Sequence, residues 1–242
     1  MFNAKTKYAG KFKALFEVLF QNMTSACFTI GKKGLRLEHK TTQNIVISVF
    51  LPADQFEEYT FTDPEPIHIG LGGNINKEFF KYVKNKDIII MSITKPFIFD
   101  FERENTSDSC QCKLSMSIET IQNITPFTHD TYTCDPVPIS ASSFNHLCRS
   151  FTPTSTINIM KSGGQVSVSN DTGISSRTVI FGDKTNDTEM NYQTFYTEQF
   201  SRISKLSSFI NKPIDAYVEQ DKPICLKCTS DIGYVDVYIY AY

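Results

Sequence analysis

The chain has 242 residues, of which 40% are hydrophobic and 20 are Phe, enough to build the core of one large or two medium domains. This composition excludes global disorder. With 24 basic and 26 acidic residues the net charge is −2, so a polyanionic partner would have to meet a local basic surface. No apolar run is long enough to span a bilayer, and the opening MFNAKTKYAGKFK lacks the apolar region of a signal peptide. We therefore expect a soluble, intracellular protein without membrane partners.

Four segments are predicted to form amphipathic helices with basic residues on the polar side. In chain order they are GKFKALFEVLF, INKEFFKYVKNK, SSFNHLCRSF and QFSRISKLSSF. The first places apolar residues at i, i+3, i+4 and i+7, and the third repeats this spacing, which is typical of one buried helix face. The two apolar stripes are Phe12, Leu15, Phe16 and Leu19, and Phe144, Leu147, Cys148 and Phe151.

The other two segments follow the same plan. At 3.6 residues per turn, the second directs Ile75, Phe79 and Tyr82 inward and groups its lysines on the opposite side. The fourth directs inward Phe200, Ile203, Leu206 and Ile210. A single basic helix face is usually solvated surface, but its recurrence in four segments favours a polyanionic partner. With no aromatic residue expected to point outward, such faces suit phosphates more than base edges. The basic residues are Lys11, Lys13, Lys77, Lys81, Lys84, His146, Arg149, Arg202 and Lys205.

The periodic pattern is interrupted near the middle by IQNITPFTHDTYTCDPVPIS, which contains three prolines. On each side a strand, a helix and a hairpin follow in the same order, with Gly34 in one hairpin turn and Gly163-Gly164 in the other. This internal duplication, with more strand than helix, predicts an α+β fold of two similar domains, each with two helices packed on antiparallel sheets. We expect an N-terminal domain at 1–117, a connector at 118–135 and a C-terminal domain at 136–242.

The residues that could carry chemistry do not predict a catalytic or metal site. Cys225 and Cys228 form a CxxC in a strand-like sequence, where alternation would direct their sulfurs to opposite faces. Cys110 and Cys112 would share a strand face, but no His or second CxxC lies nearby in the sequence to complete a zinc site. The four His are not accompanied by a nucleophile motif, a phosphate loop or paired carboxylates. We expect no metal, no cofactor and no enzymatic activity.

Short matches to one known family are spread collinearly over nearly the whole chain. They begin with Met1-Phe2, Ala4, the helix through Leu15 to Leu19, Ala26-Cys27, Ile30 and Gly34. They continue with Asp63, the Lys77-bearing helix, Asn85, Asp87, Ile88-Ile89, Phe144, Cys148 and Arg149. They close with Pro223-Ile224, Asp231-Ile232-Gly233 and Tyr238-Ile239. Together these residues resemble eukaryotic proliferating cell nuclear antigen, the DNA sliding clamp family.

The resemblance implies the DNA clamp fold and a ring of three subunits whose helices line a central hole around duplex DNA. Such a clamp tethers DNA polymerase and other replication and repair enzymes and has no catalysis of its own; a clamp loader is a further partner. The nine basic residues would face the hole, where weak phosphate contacts permit sliding. Ring closure would pair an edge strand at Cys110 to Ser117 with one at Ser175 to Gly182 of the next subunit.

The resemblance also implies a partner-binding surface. Partners of this family insert a short aromatic motif into an apolar pocket beneath the connector, and a few apolar residues can supply most of such binding energy. Here that surface would comprise Ile124 to Phe127, Pro223, and the tail residues Tyr238, Ile239 and Tyr240. Lys40 stands where the family commonly has Met, so we expect an altered or lost pocket. The alternation of Val235, Val237 and Ile239 predicts a core strand for the tail.

Other departures from the family pattern concern charge. Phe20 and His146 occupy positions that are often Lys and Arg in the family, which reduces the positive charge expected to face the hole. The nearly neutral chain also contrasts with the strongly acidic outer surface of the family. These departures fit a viral or otherwise specialised clamp, acting in the nucleus or at a cytoplasmic replication site. Three alternatives stay open: a monomeric or dimeric processivity factor held by charge, a subunit of a heterotrimeric checkpoint-type clamp, and a structural or regulatory protein that does not load on DNA.

Overall fold

The computed structural model describes residues 1–105, 111–119, 127–151, 155–171, 173, 175–183 and 190–242. They form two compact units, each assembled from separate stretches of the chain. Unit 1 comprises Met1–His39, Ser48–Phe127 and Ser230–Val235, and unit 2 comprises Lys40–Ile47, Thr128–Thr229 and Asp236–Tyr242. The domain limits of 1–117, 118–135 and 136–242 stay a prediction.

Strands dominate the first half of the chain. In order they are β1 (Phe2–Thr6), β2 (Ser25–Gly31), β3 (Gly34–Lys40), β4 (Ile45–Pro52), β5 (Glu58–Phe61), β6 (Ile67–Gly72), β7 (Ile88–Lys95), β8 (Ile98–Glu104) and β9 (Gln111–Ser117). The helices are α1 (Ala9–Asn22) and α2 (Ile75–Glu78), with short 3-10 turns at Ala53–Gln55 and Phe80–Tyr82.

The core of unit 1 forms where α1 packs on antiparallel strands. One sheet has the order β5-β1-β7-β8-β9, and β2 pairs with both β3 and β6. The predicted stripe of α1 is buried, and Phe16 lies at the centre of an aromatic cluster. Its ring centroid is 4.5 Å from that of Phe80, 5.9 Å from Phe28 and 6.0 Å from Phe101. Rings at these separations add to the stability that burial already provides.

The second half of the chain repeats the mixture of strands and short helices. Its strands are β10 (Val137–Ile139), β11 (Thr156–Ser162), β12 (Gln165–Asp171), β13 (Ser176–Phe181), β14 (Met190–Tyr196), β15 (Ile214–Tyr217), β16 (Ile224–Ser230) and β17 (Gly233–Ile239). Its helices are α3 (Ala141–Ser150), α4 (Thr197–Arg202) and α5 (Leu206–Phe209).

Helix α3 forms as its sequence predicts. Ser140 caps its N-terminus, because the hydroxyl accepts a hydrogen bond from the amide of Ser143 at 3.2 Å. Phe144, Leu147 and Cys148 are buried, while Phe151 follows the helix in extended backbone and is half-buried. In the same unit, antiparallel strands form a sheet with the order β13-β12-β11-β14, and β15 pairs with β10 and β16. The predicted α+β class with antiparallel sheets is therefore confirmed.

The prediction of one continuous second helix is wrong. Helix α2 ends at Glu78, and Phe79 has φ −122° and ψ −64° before the 3-10 turn begins. At this break both Phe79 and Phe80 are buried, at 2% and 1% exposure, and pack edge to face at 5.3 Å. The helix does not continue because the carbonyl oxygens of the following turn accept hydrogen bonds from the side chains of Lys13 and Arg103, not from the amides of a further helical turn. Tyr82, predicted to point inward, is 56% exposed.

The predicted fourth helix is also interrupted. Ile203, with φ −109° and ψ 8°, ends α4, and α5 starts only at Leu206. Serine hydroxyls compete for backbone carbonyls here, since Ser201 donates to Glu198 O and Ser207 donates to Ser204 O, each at 2.8 Å. The inward residues of this segment are nevertheless buried as predicted.

Within the described residues, no helix is long and apolar enough to cross a membrane. Over the same part of the chain, no group of three His, Cys, Asp or Glu side chains could hold a metal ion. Cys225 and Cys228 are free and buried in β16, where burial raises the pKa of the Cys225 thiol to about 12. Their burial in a strand fits small core residues.

Candidate nucleic-acid interface

One basic surface of unit 1 lies on α2 and the turn that follows it. Lys77, Lys81 and Lys84 are all exposed there. Because α2 ends early, Lys84 lies beyond the 3-10 turn and not on a helix face. Lys86 is exposed in the same turn and adds a fourth cation that helical periodicity did not single out. We refer to Lys77, Lys81, Lys84 and Lys86 as the lysine face.

Buried polar contacts hold the turn that carries these lysines. The amide of Lys84 donates to the Asp87 carboxylate at 2.7 Å, and Asp87 is 1% exposed. The guanidinium of Arg103 lies 3.8 Å from that carboxylate and also donates to the carbonyl of Tyr82. A charge-assisted network of this kind fixes the backbone more firmly than neutral contacts would. The lysine face is therefore presented on an anchored turn.

The two lysines of α1 are less available than the sequence predicts. Lys13 donates from Nζ to the carbonyl oxygens of Lys81 at 3.4 Å and Val83 at 3.2 Å, so it bridges α1 to the turn. Lys11 is half-buried, and burial lowers the pKa of its ammonium while Asp231 opposes that shift. Lys13 still places positive charge beside the lysine face, whereas the charge near Lys11 is that of Asp231, and neither lysine projects fully into solvent.

The prediction that no aromatic side chain would point outward is wrong for Tyr82. Tyr82 is exposed, and the ammonium of Lys81 lies 5.6 Å from its ring centroid. Such a ring could stack on a base or slide past a sugar. Lysine and arginine side chains commonly lie over aromatic rings, as Lys81 does here. The face remains dominated by lysine, which contacts phosphates as a point charge.

Unit 2 has a thinner basic surface. On α3, His146 and Arg149 are exposed opposite the buried stripe. On α4, the Arg202 guanidinium bonds to the Glu198 carboxylate through Nη2 at 2.6 Å and Nε at 2.9 Å, which offsets its charge. Lys205 is half-buried. Arg177 of β13, which the sequence did not single out, is exposed and donates to the carbonyl of Ser150 at the end of α3, 3.0 Å away.

The predicted partner-binding residues divide between the two units. In unit 1, the Phe127 amide donates to the Glu38 carboxylate at 3.0 Å. In unit 2, Lys40 is exposed with its ammonium 5.6 Å from the Tyr240 ring centroid, and Tyr238 stacks on His129 at 4.8 Å. Ile124 lies outside the described residues.

Three predicted partner-binding residues are buried, and one of them is Tyr238, at 5% exposure. Ile239 has no exposed surface, as the alternation along β17 predicts for a core strand. Pro223 is also buried, and its carbonyl accepts a hydrogen bond from Tyr132 at 2.7 Å. In this conformation these three residues can only support the surface from beneath. Tyr240, which is half-buried, and Lys40 are the tail and strand residues that a partner could touch directly.

The described end of the connector in unit 2 is tied down by Glu219. Its carboxylate accepts from the amides of Thr133 at 2.9 Å and Cys134 at 3.4 Å, and it also pairs with Lys222. The Lys222 hydrogen bond, aided by the two amides, lowers the pKa of Glu219 to about 2. Since the carboxylate is ionised at neutral pH, this contact is fully formed there.

Comparison with known proteins identifies the family. The family model described as "Proliferating cell nuclear antigen, N-terminal domain" matches residues 1–123, which is half of the chain. This chain belongs to the proliferating cell nuclear antigen family. Among solved structures, the proliferating cellular nuclear antigen from Entamoeba histolytica is similar over 100% of this chain and 98% of its own, with TM-score 0.87 and 15% identity. A search of curated proteins finds no significant match.

Both findings confirm the resemblance and the clamp fold that the sequence predicted. Family membership supports a function of the sliding-clamp type, with DNA and replication proteins as the implied partners. The two strands predicted for ring closure both lie at sheet edges: β9 ends the five-stranded sheet of unit 1, and β13 ends the four-stranded sheet of unit 2. Cys110 and Ser175 lie outside these strands, and Cys110 is also outside the described residues.

Proposed function

We propose that this chain is a DNA polymerase processivity factor that encircles duplex DNA as a homotrimer and tethers replication and repair enzymes. The observation that carries the proposal is the lysine face on α2 and its turn, in a chain of the proliferating cell nuclear antigen family. Its place of action would be the nucleus, or a cytoplasmic replication site if the protein is viral. In this role it is a scaffold without catalysis of its own.

The chemistry of the lysine face supports sliding. Exposed ammonium groups on long, flexible side chains attract phosphates without a fixed hydrogen-bond geometry. Contacts of this kind are independent of sequence and weaken steeply with salt, because each one releases condensed counterions. A duplex held only by such contacts can move along the protein while a closed ring prevents its escape.

Ring closure is supported by the two edge strands. An edge strand presents unpaired backbone donors and acceptors, which favours pairing with another chain. Pairing β9 of one subunit with β13 of the next would be a head-to-tail contact, and such contacts close into rings when the rotation per subunit allows. On β13, Ile180 is 59% exposed and would be covered by a neighbouring subunit.

Partner enzymes would dock near Lys40, Tyr240 and the connector. The cation beside the Tyr240 ring makes this surface more polar than an all-apolar pocket. We therefore propose partners whose aromatic motif is flanked by acidic residues that can pair with Lys40. A clamp loader is a further proposed partner.

Mass measurement tests the proposed assembly. Light scattering after gel filtration should give three times the 27.5 kDa mass of one chain at micromolar concentration. A single-chain mass or a dimer would overturn the homotrimer and favour a processivity factor held on DNA by charge. Trimer formation only after mixing with related chains would favour a heterotrimeric checkpoint-type clamp. A trimer without duplex binding would favour a structural or regulatory role.

A further inference from the structure

A cleft of about 450 Å³ lies in unit 1, and none of the residues of the lysine face lines it. One wall is the hairpin of β2 and β3, and the other consists of Phe61, Pro64 and Pro66. The hairpin loop has only two residues, Lys32 and Lys33, because Gly31 pairs directly with Gly34. The cleft therefore has an apolar wall opposite a short loop of two lysines.

Three cations surround this cleft. Lys32, Lys33 and Arg36 line it and are exposed, and none of them forms an ion pair with another described residue. The guanidinium of Arg36 lies 4.6 Å from the Phe50 ring centroid, which holds the side chain in place. By contrast, Lys5 and Lys7 in the same unit each lie 3.5 Å from a glutamate. Among the described residues of the unit, no carboxylate forms an ion pair with the three cations at the cleft.

The shape of the cleft is fixed before any ligand arrives. The Tyr59 hydroxyl donates to the carbonyl of Gly31 at 2.6 Å and ties the hairpin to β5. Pro64 and Pro66 have fixed φ angles and stiffen the opposite wall. A preformed site loses little conformational entropy on binding.

We propose that this cleft is a docking site for an acidic segment of a partner protein, with one apolar side chain inserted between Gly31 and the prolines and its carboxylates paired with Lys32, Lys33 and Arg36. Charge complementarity selects this occupant. A duplex is a rigid rod of phosphates whose bases and sugars do not enter a cleft of this size, so it would meet the lysines but leave the apolar wall uncovered. The site shares no lining residue with the lysine face or with the predicted connector surface, and it does not depend on ring formation.

Gly31 offers a specific way to fill the cleft. A Cβ atom built there would lie 3.7 Å from Pro66, at ordinary contact distance. The φ angle of Gly31 is not positive, so a side chain causes no backbone strain. In the Gly31→Leu variant, the leucine side chain should occupy the space that the partner's apolar side chain would fill. The lysines are left unchanged. Lys32→Glu with Lys33→Glu should reverse the charge and leave the cleft open.

The test uses the full chain and fluorescein-labelled synthetic peptides that carry a central Phe or Leu flanked by Glu, Ser or Lys. Fluorescence anisotropy should show binding of the Glu-flanked peptides, and both the Gly31→Leu and the Lys32→Glu/Lys33→Glu variants should weaken it about tenfold or more. The matched control Lys95→Glu/Lys212→Glu, which makes the same charge change at exposed sites, should bind as the unmodified chain does. Circular dichroism should report an unchanged fold for every variant.

Three results would overturn the proposal. One is the absence of binding by every Glu-flanked peptide. Another is equal loss in the cleft variants and in the control, which would mean that only overall charge matters. The third is a duplex oligonucleotide that displaces the peptide and loses affinity on Lys32→Glu/Lys33→Glu but not on Gly31→Leu, which would make the cleft a nucleic-acid contact.

Discussion

Lys13 donates a hydrogen bond from its ammonium to the carbonyl of Val83, 3.2 Å away and 70 residues later in the chain. This bond, with its neighbour to Lys81, joins α1 to the turn of the lysine face. A residue that the sequence predicts as a DNA contact therefore also positions other predicted DNA contacts.

Replacing Lys13 with Met should keep the aliphatic stem and remove both bonds. We expect the free energy of unfolding of unit 1 to fall by about 1 kcal/mol, the usual net value of such a bond. Urea unfolding followed by circular dichroism measures the change, and hydrogen exchange should show faster exchange of amides in residues 81–84. Lys212→Met, at an exposed position of unit 2, serves as the control and should shift stability by less than about 0.5 kcal/mol. Equal effects of both substitutions would show that the bridge contributes nothing.

The triple variant Lys77→Ala, Lys81→Ala and Lys84→Ala should bind duplex DNA more weakly. If each lysine contacts one phosphate, the slope of log affinity against log salt should decrease by about three. Anisotropy titrations of a labelled duplex at roughly 50 to 200 mM salt measure the slope.

The matched control for that variant is Lys32→Ala, Lys33→Ala and Lys212→Ala, which removes the same charge from exposed positions elsewhere. It should retain the salt slope of the unmodified chain. Equal loss in both triple variants would show that DNA responds to net charge and not to the lysine face.

The ion pair between Arg202 and Glu198 should limit the contribution of α4 to DNA binding. Glu198→Gln releases the guanidinium, and we expect duplex affinity to rise a few-fold, while stability falls by no more than about 0.5 kcal/mol. Arg149→Gln should weaken binding more than Arg202→Gln, because Arg149 is exposed on α3 and Arg202 is already paired. Duplex titrations of the three variants at one salt concentration test this. An unchanged affinity for Glu198→Gln would contradict it.

Glu219 should make stability depend on pH in the acidic range. Its pKa is about 2 in the folded chain against 4.5 without the fold, so its contribution is present above pH 4.5 and is lost as the pH falls towards 2. Glu219→Gln should therefore lower the urea midpoint at neutral pH, and the difference from the unmodified chain should shrink as the pH falls. A difference that stays constant from pH 7 to pH 3 would show that ionisation of Glu219 does not stabilise unit 2.

The elements that the sequence predicted well are those with one buried face. Helices α1 and α3 follow a regular stripe, and each strand with clear alternation, such as β2 or β9, was found. Helix α2 ends early where side chains of Lys13 and Arg103 bond to the carbonyls of the following turn, a tertiary effect that periodicity does not contain. Strands β6 and β14 lack this signal, because their runs, IHIGLG and MNYQTFY, mix glycine or polar residues with the apolar ones.

The candidate site, too, could be predicted only in part, because some of its contacts are tertiary. Exposed lysines on one short segment are visible in the sequence, and so is the four-residue spacing of Glu198 and Arg202 that predicts their pairing. The contacts of Lys13 and the anchoring of Asp87 by Arg103 join residues far apart in the chain, so no local pattern reveals them.

Topological retention on DNA tests the central proposal most directly. The protein, with a clamp loader where loading requires one, is assembled on a primed circular duplex and separated by gel filtration at high salt. The same plasmid is then linearised. A closed ring should remain with the circular DNA at salt concentrations that abolish phosphate contacts and should leave once the DNA has ends. Equal release from circular and linear DNA would contradict encirclement and show that charge alone holds this chain on the duplex.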